Sequence, residues 1–295
     1  MLANASILLI GGGNMGRALL TAWRAENLVG DVTVVDPHPI PELQAMAQVV
    51  ADTKLATGSF DAVILATKPQ IAAEVMPVAA NFVTKNNFFL SIAAGKQTAF
   101  FQQYLGADKA IIRAMPNTPC QINQGITALY ATPATSPAVR ETAHRLFAPT
   151  GFVFTVKDED KMHDITAITA SGPGFVFYAM ELLEKTLSRA EAIETIAACN
   201  HPFYHDYTTA AQTHAIADQG ATQQIITQLF KGSVSLAQAF PDKSFADLRR
   251  AVTSPNGTTE SGLKVLMEAT EPGQMAERIA ATLDAATRRS IELAK

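Results

Sequence analysis

Three glycines near the start of the chain have a spacing that suits the binding of phosphate groups. Gly11, Gly13 and Gly16 form a G-x-G-x-x-G pattern between an apolar run at residues 6–10 and a helix-like segment at residues 14–25. In such a turn the first glycine allows a tight bend, the second lets a pyrophosphate approach the backbone, and the third lets the helix pack closely on the strand. The pattern and its setting therefore predict dinucleotide binding, with an ordinary glycine turn as the alternative.

An acidic residue follows at the distance where the adenosine ribose of such a cofactor would lie. Asp36 comes 20 residues after Gly16, at the end of a second apolar run, residues 32–35. A carboxylate there accepts hydrogen bonds from ribose hydroxyls and repels a 2′-phosphate. We therefore predict that the cofactor is NADH or NADPH, with NADH favoured.

Three further short motifs stand at the ends of later apolar runs. They are ATKPQ (66–70), SIAAG (91–95) and RAMPNTP (113–119). In an open parallel sheet the carboxyl ends of the strands line the ligand crevice, and small residues with proline let the backbone approach a flat nicotinamide ring. Each motif alone is also typical of a loop stabilised by proline, but their shared location favours one site.

A fourth motif, SPNGTT (254–259), precedes a helical run near the end of the chain. The free N–H groups at the start of a helix form an anion site, which suits a substrate carboxylate. Simple capping of the helix by serine or threonine is the alternative interpretation.

The elements that would position these motifs fall into two parts. Apolar runs at 6–10, 32–35, 62–66, 88–92 and 110–113 alternate with helical segments, which is typical of a parallel sheet covered on both faces. Two more runs are predicted to add edge strands around a helix at residues 137–147: these are 127–130 and 152–156. After Lys157 the chain becomes a series of amphipathic helices. We predict an α/β Rossmann dinucleotide-binding domain at residues 1–157, followed by an all-α dimerisation and substrate-binding domain at 158–295.

Composition excludes several other classes of protein. Of the 295 residues 48% are hydrophobic and 17% charged, which excludes a disordered or collagen-like chain. The 23 basic and 27 acidic residues leave a net charge of −4, so no nucleic-acid partner is expected. Two cysteines are compatible with a reducing compartment, no apolar run is long enough for a membrane span, and no basic segment starts a signal peptide. We expect a cytoplasmic protein without membrane contact.

The motifs together resemble those of a known family. GGGNMG, ATKPQ, SIAAG, RAMPNTP, ASGPGFVF and VTSPNGTT occur in the order seen in pyrroline-5-carboxylate reductases, which catalyse the last step of proline synthesis. The resemblance extends from residue 6 to about residue 290, and RAMPNTP with SP-x-GTT is its most specific part. It implies a cyclic imine substrate, hydride transfer from NAD(P)H, and a helical domain that interlocks in a homodimer. Five such dimers often form a decamer in this family.

The resemblance also implies a role for particular residues. Thr259 should hydrogen-bond the ring nitrogen as the catalytic residue, while water supplies the proton. The loop around it should hold the substrate carboxylate, and the RAMPNTP loop should flank the nicotinamide and the substrate ring; the substrate-binding residues are Ser254, Gly257, Thr258, Thr259, Met115 and Asn117. The cofactor-binding residues are Gly11, Gly13, Asn14, Met15, Gly16, Asp36, Thr67, Lys68, Pro69, Ala93 and Ala94.

The chain departs from the family pattern mainly between residues 190 and 240, where it is longer. This segment contains His201 and His205, whose spacing on a helix places two imidazoles on one face, as metal ligands require. A polar helix face or a dimer contact explains the same spacing, and we predict no metal site. The extra length puts the family's assembly in question more than its chemistry.

Two other functions remain open. A β-hydroxyacid dehydrogenase also has a Rossmann domain followed by helices, but the Lys-x-x-x-Asn pair typical of those enzymes is missing, because Arg189 stands four places after Lys185. The second is a non-catalytic dinucleotide-binding paralogue. Such a paralogue would have no need for the complete SPNGTT loop, which is predicted to hold the substrate carboxylate.

Overall fold

The computed structural model describes residues 2–173, 176, 227, 230–231, 233–235, 237–251, 285, 288–289 and 291–292. The chain forms two compact units, the first made of Met1–Pro173 with Ala280–Lys295, the second of Gly174–Ile279. The first unit thus includes residues 158–173, beyond the point where the sequence predicts a domain boundary. That boundary itself stays a prediction.

The first unit contains an eight-stranded sheet in the order β3-β2-β1-β4-β5-β6-β7-β8. All neighbouring strands are parallel except β6 and β7, which are antiparallel. The strands are β1 (Ile7–Ile10), β2 (Val32–Val35), β3 (Gln48–Val50), β4 (Ala62–Leu65), β5 (Phe88–Ser91), β6 (Ile111–Pro116), β7 (Gly125–Ala131) and β8 (Gly151–Thr155).

Helices connect the parallel strands. They are α1 (Asn14–Ala25), α2 (Pro41–Met46), α3 (Ala72–Ala79), α4 (Thr98–Leu105) and α5 (Pro137–Phe147). A further helix, α6 (Lys161–Ile165), follows the last strand, and a π-helical turn, Thr166–Ala170, follows α6. Short 3-10 helices lie at Leu2–Asn4, Thr53–Leu55, Pro69–Ile71, Ala80–Phe82, Thr118–Ile122 and Ala148–Thr150. In the second unit the described residues include one further helix, α7 (Phe245–Ala251).

The sheet has a hydrophobic core on each face. Strand β1 shows why: Ile7 and Leu9 belong to one buried cluster, while Leu8 and Ile10 belong to the other. Because side chains alternate across a strand, a fully apolar strand fits only a sheet that is covered on both sides. The cluster of Leu9 includes Trp23 of α1, whose indole N–H donates to the carbonyl oxygen of Leu146, 2.7 Å away.

The structure confirms the predicted Rossmann-like fold and corrects two details of it. Strand β3 has no counterpart in the sequence prediction, because three residues, one exposed and two half-buried, give too short a pattern to recognise. The runs at residues 127–130 and 152–156 were both expected at an edge, but β7 lies between β6 and β8, so of these two only β8 is an edge strand. Strand position depends on pairing with distant segments, which local alternation does not report.

Candidate active site at the strand ends

Four parallel strands end at the same level, which brings their following loops to one edge of the sheet. Ile10 pairs with both Val35 and Leu65, and Leu65 pairs with Ser91, so β1, β2, β4 and β5 end in register. Strand β6 continues beyond the level of Ser91, from Arg113 to Pro116. The predicted glycine turn, Asp36 and the motif at residues 66–70 follow these strand ends, and the motifs at 91–95 and 113–119 include the ends of β5 and β6.

The glycine turn has the shape that a pyrophosphate requires. Gly11 adopts φ +110°, and a Cβ there would lie 2.6 Å from the carbonyl oxygen of Ala66. A Cβ on Gly16 would overlap the carbonyl oxygen of Gly11, whereas a Cβ on Gly13 would meet no atom within 4 Å. Gly13 is also the N-cap of α1 and offers no side-chain cap. The turn therefore leaves open space in front of a helix N-terminus, which is a suitable site for phosphate.

Asp36 is held against this turn. Its Oδ2 accepts a hydrogen bond from the backbone N–H of Gly12 at 2.9 Å, and its Oδ1 accepts one from the N–H of His38 at 2.8 Å. These two bonds fix the half-buried carboxylate at the end of β2, beside the glycines. A carboxylate oxygen accepts more than one hydrogen bond, so both oxygens keep capacity for ribose hydroxyls.

The loop after β4 carries an orphaned hydroxyl. Thr67 Oγ1 is buried and has no hydrogen-bond partner. Its neighbour Ala66 contacts the glycine turn, since the carbonyl oxygen of Ala66 faces Gly11. A buried polar group without a partner costs about 1–3 kcal/mol, so a ligand that supplies a partner would remove that cost. The open turn and this hydroxyl together fit a bound dinucleotide.

The loops after β5 and β6 would flank the nicotinamide. Ser91 Oγ accepts the N–H of Ala93 at 3.1 Å, and Ala93 is buried while Ala94 is half-buried. Lys68 is exposed, and Pro69 opens the 3-10 helix after β4. Met115, at the end of β6, is half-buried. The sizes and positions of these residues suit the cofactor role predicted for them, which stays a prediction.

Asn117 makes contacts that the sequence did not suggest. Its Oδ1 accepts the N–H of Ile126 at 2.8 Å, and its Nδ2 donates to the carbonyl oxygen of Thr169 at 3.0 Å. The buried amide therefore ties the RAMPNTP loop to β7 and to the π-helical turn. The described contacts give Asn117 a positioning role, and its predicted contact with substrate remains untested.

A buried polar cluster lies on β6 and the segment before α6. Arg113 Nη1 is 2.8 Å from Glu159 Oε1, and Glu159 also accepts hydrogen bonds from Thr98. Nearby, burial and then the Arg113 charge hold the pKa of buried His163 below its usual value. Burial, followed by the Glu159 carboxylate, raises the pKa of Tyr130 on β7.

Sequence reasoning missed this polar cluster, although one signal for it was available. Arg113 is a charged residue at the end of an apolar run, and such a residue needs a partner when buried. The acidic residues at 158–160 are the candidates nearest the end of the predicted sheet.

Several predicted site residues lie outside the described residues: Ser254, Gly257, Thr258 and Thr259, together with His201, His205, Lys185 and Arg189. Within the described residues no group of three or more His, Cys, Asp or Glu side chains could hold a metal ion. No helix in the same part of the chain is long and apolar enough to cross a bilayer.

Comparisons with known proteins agree with this arrangement. A family model described as pyrroline-5-carboxylate reductase dimerisation matches residues 191–293, and one described as NADP oxidoreductase, coenzyme F420-dependent, matches residues 6–95. A pyrroline-5-carboxylate reductase of Mycobacterium tuberculosis is 31% identical, covering 98% of this chain and 97% of its own length. One of Pseudomonas aeruginosa is 29% identical, with the same coverage of 98% and 97%.

Solved structures extend the similarity to three dimensions. A pyrroline-5-carboxylate reductase of Coxiella burnetii is similar with a TM-score of 0.80 and 27% identity over 99% of each chain. A pyrroline carboxylate reductase of Plasmodium falciparum, solved with NADP bound, shares the fold with a TM-score of 0.78 and 20% identity over both whole chains. On the basis of near full-length similarity and the geometry of its strand ends, this chain belongs to the pyrroline-5-carboxylate reductase family.

Proposed function

We propose that this protein reduces 1-pyrroline-5-carboxylate to L-proline with NADH or NADPH, as the last step of proline biosynthesis. The observation that carries the proposal is the similarity over 98% of the chain to enzymes named for this reaction. The open glycine turn and the orphaned hydroxyl of Thr67 support it, because both suit a dinucleotide.

The reaction requires the protein to orient the cofactor and the substrate more than to supply a strong acid. When bound, the reduced nicotinamide supplies a hydride to the imine carbon, and the ring nitrogen ends as the secondary amine of proline. The glycine turn binds the pyrophosphate, and Asp36 accepts from the ribose hydroxyls. Ala93, Ala94 and Met115 would flank the bound nicotinamide and orient it for hydride transfer.

The substrate end of the site is assigned to the SPNGTT loop. Ser254, Gly257 and Thr258 bind the substrate carboxylate through N–H groups and hydroxyls, and Thr259 hydrogen-bonds the ring nitrogen. A cyclic imine is basic enough to be protonated near neutral pH, so water can supply the proton. None of the six histidines lies within a motif of the family, which agrees with a reaction that lacks a histidine acid.

The finer properties of the enzyme are also proposals. Asp36 favours NADH, while the NADP bound in the Plasmodium falciparum relative supports use of both cofactors. The match of residues 191–293 to a dimerisation family supports a homodimer, which five-fold assembly would turn into a decamer. We expect the enzyme to work in the cytoplasm.

One assay tests the activity against both alternatives. Purified protein is mixed with NADH or NADPH and 1-pyrroline-5-carboxylate, and absorbance of the reduced cofactor is followed. In parallel it is given 3-hydroxyisobutyrate with NAD. Oxidation of the reduced cofactor that depends on the imine, with proline as product, supports the proposal. Turnover of 3-hydroxyisobutyrate would identify a β-hydroxyacid dehydrogenase, and cofactor binding without turnover would identify a non-catalytic paralogue.

A further inference from the structure

One carboxylate joins three segments of the first unit. Glu159 Oε1 accepts from Arg113 Nη1 at 2.8 Å and from the backbone N–H of Thr98 at 2.7 Å, while Glu159 Oε2 accepts from the Thr98 hydroxyl at 2.6 Å. We refer to Glu159, Arg113 and Thr98 as the Glu159 clasp. Its members are far apart in sequence, with Glu159 46 residues from Arg113 and 61 from Thr98.

The Glu159 clasp is withdrawn from solvent. The Arg113 side chain is 5% exposed, that of Glu159 is 16% exposed, and Thr98 is buried. Two charges that are removed from water lose the free energy of hydration. Their attraction offsets this loss only when their geometry is close and additional hydrogen bonds are made. Since Glu159 accepts three such bonds, the pair is held in one arrangement rather than sliding as a surface ion pair does.

Two members of the clasp are close in sequence to the segments assigned to the nicotinamide. Thr98 begins α4, three residues after Gly95, the last residue of the SIAAG loop that contains Ala93 and Ala94. Arg113 lies on β6, two residues before Met115. Glu159 itself comes from the segment before α6 and belongs to neither loop. It therefore joins the start of α4, which the SIAAG loop enters, to β6, which carries Met115.

We propose that Glu159 is a positioning residue that presets the SIAAG loop against β6, so that the nicotinamide half of the cofactor meets a preformed surface. The proposal rests on the cofactor roles assigned above to Ala93, Ala94 and Met115. The proposal predicts different effects on the binding of the two halves of the cofactor. Asp36 and the glycine turn are assigned to the adenosine and pyrophosphate half, and they have no contact with the clasp among the described hydrogen bonds.

Two ligands distinguish the halves. NADH carries the nicotinamide, whereas ADP-ribose carries only the adenosine, pyrophosphate and second ribose. Binding of both is measured by calorimetry on the full chain, for the wild type and for Glu159→Gln, which keeps the shape of the side chain and removes its charge. Thr98→Val removes one hydroxyl from the clasp, and Thr98→Ser keeps it.

The chain offers a matched control on the same segment. Asp164→Asn breaks the pair between Lys161 Nζ and Asp164 Oδ2, which are 3.5 Å apart, and both side chains are more than half exposed. An exposed ion pair of this kind contributes little to stability or order. The control therefore reports the effect of losing one carboxylate from α6 without disturbing the clasp.

We expect Glu159→Gln to raise the Kd for NADH by roughly three- to tenfold, because the loop must then be ordered during binding. The Kd for ADP-ribose should change by less than about twofold, since the groups that bind it are untouched. Thr98→Val should show the same selective loss to a smaller degree, Thr98→Ser should restore the affinity, and Asp164→Asn should match the wild type. With the imine substrate, kcat of Glu159→Gln should fall by roughly tenfold or more, since small displacements of reacting groups are costly.

A clasp that only supports the fold predicts a different result. Both dissociation constants would then rise together, or both would stay unchanged while only the melting temperature falls, and either outcome overturns the proposal. If Glu159→Gln does not fold, the comparison of Thr98→Val with Thr98→Ser decides in the same way. Failure of the wild type to turn over the imine would contradict the proposed reaction alone, because the two binding constants judge the clasp without turnover.

Discussion

Asp36 is the residue whose charge bears most directly on cofactor choice. The wild type should prefer NADH, because a carboxylate about 4 Å from a phosphate charge is repelled by roughly 4 kcal/mol before screening, at an effective dielectric near 20. Exposure and salt reduce this to about 1–2 kcal/mol, or roughly tenfold in kcat/KM. Asp36→Ser should bring the two cofactors closer to equal use. Steady-state kcat/KM for NADH and NADPH measures the change.

Asp31 provides the control for that substitution. It is exposed and immediately precedes β2, at the opposite end of the strand from Asp36. Asp31→Ser removes the same charge and should leave the cofactor ratio unchanged. A wild-type preference of tenfold or more for NADPH would mean that Asp36 does not face the ribose of the bound cofactor.

His163 gives the fold a predictable response to acid. Its pKa lies below the ordinary value of 6.5, chiefly because it is buried and next because Arg113 is positive. The unfolded chain therefore binds a proton first as pH falls below 6.5, so the free energy of unfolding drops through that region and levels off below the folded pKa. His163→Asn should flatten this slope. Urea unfolding at about pH 7.5 and about pH 5.5 measures it.

His144 on α5 serves for comparison, since it is half-exposed. His144→Asn removes one imidazole from this part of the fold without touching His163, and its slope is the reference against which His163→Asn and the wild-type slope are compared. If His163→Asn keeps the wild-type slope, another group is responsible for the acid response, and the burial of His163 has no consequence for stability in this range.

At the scale of elements, two glycines at the junction of β1 and α1 are expected to affect different properties, one cofactor binding and the other stability. A Cβ on Gly13 meets open space, so Gly13→Ala should leave the melting temperature nearly unchanged but place a methyl group where the pyrophosphate approaches. We expect the Kd for NADH to rise at least tenfold, measured by fluorescence titration. Gly16→Ala should instead lower the melting temperature, because its Cβ overlaps the carbonyl oxygen of Gly11.

The contrast between the two glycines is the test. If Gly13→Ala binds NADH as well as the wild type does, the phosphates do not approach at this point. Equal losses of stability in both variants would show that the turn is only a tight packing joint, which is the ordinary interpretation of a glycine-rich loop.

At the scale of the whole molecule, the second unit is expected to form a dimer contact with a second copy of the chain. Residues 191–293 match a dimerisation family, and within them Phe245 of α7 is 83% exposed. Val234 is 56% exposed and lines the same surface cavity as Phe245, and exposed apolar side chains that are grouped in this way are typical of an interface. Light scattering at micromolar concentration should give a dimer or a multiple of it, and Phe245→Asp should lower the measured mass.

Phe152 on β8 is the matched control, because it is 67% exposed but lies outside the matched segment. Phe152→Asp should leave the mass unchanged. A stable and active wild-type monomer would contradict the expected assembly, whatever the effect of either substitution.

The sequence by itself determined the parts whose signals are local. The bounds of α1 and α5, residues 14–25 and 137–147, are those read from the sequence, because apolar periodicity and capping residues act within a few positions. The glycine turn and Asp36 could also be recognised, since the spacing of the glycines and the apolar runs around them together indicate a strand, a turn and a helix N-terminus. Family and fold, both confirmed, followed from these short motifs and their order.

The tertiary structure alone decided which distant segments meet. Nothing in GITALYA shows that β7 runs antiparallel to β6 and separates it from the edge, because pairing depends on the whole sheet. The contact of Asn117 with substrate stays a prediction, but no local pattern indicated that its amide also binds Ile126 and Thr169, the latter 52 residues away. The charge of Arg113 indicates that a partner is needed, but not that Glu159 is that partner or that it also binds Thr98, since the three hydrogen bonds of Glu159 reach residues 46 and 61 positions distant. A local pattern specifies the element that carries a residue, but only folding brings a carboxylate from one segment against the arginine and threonine of two others.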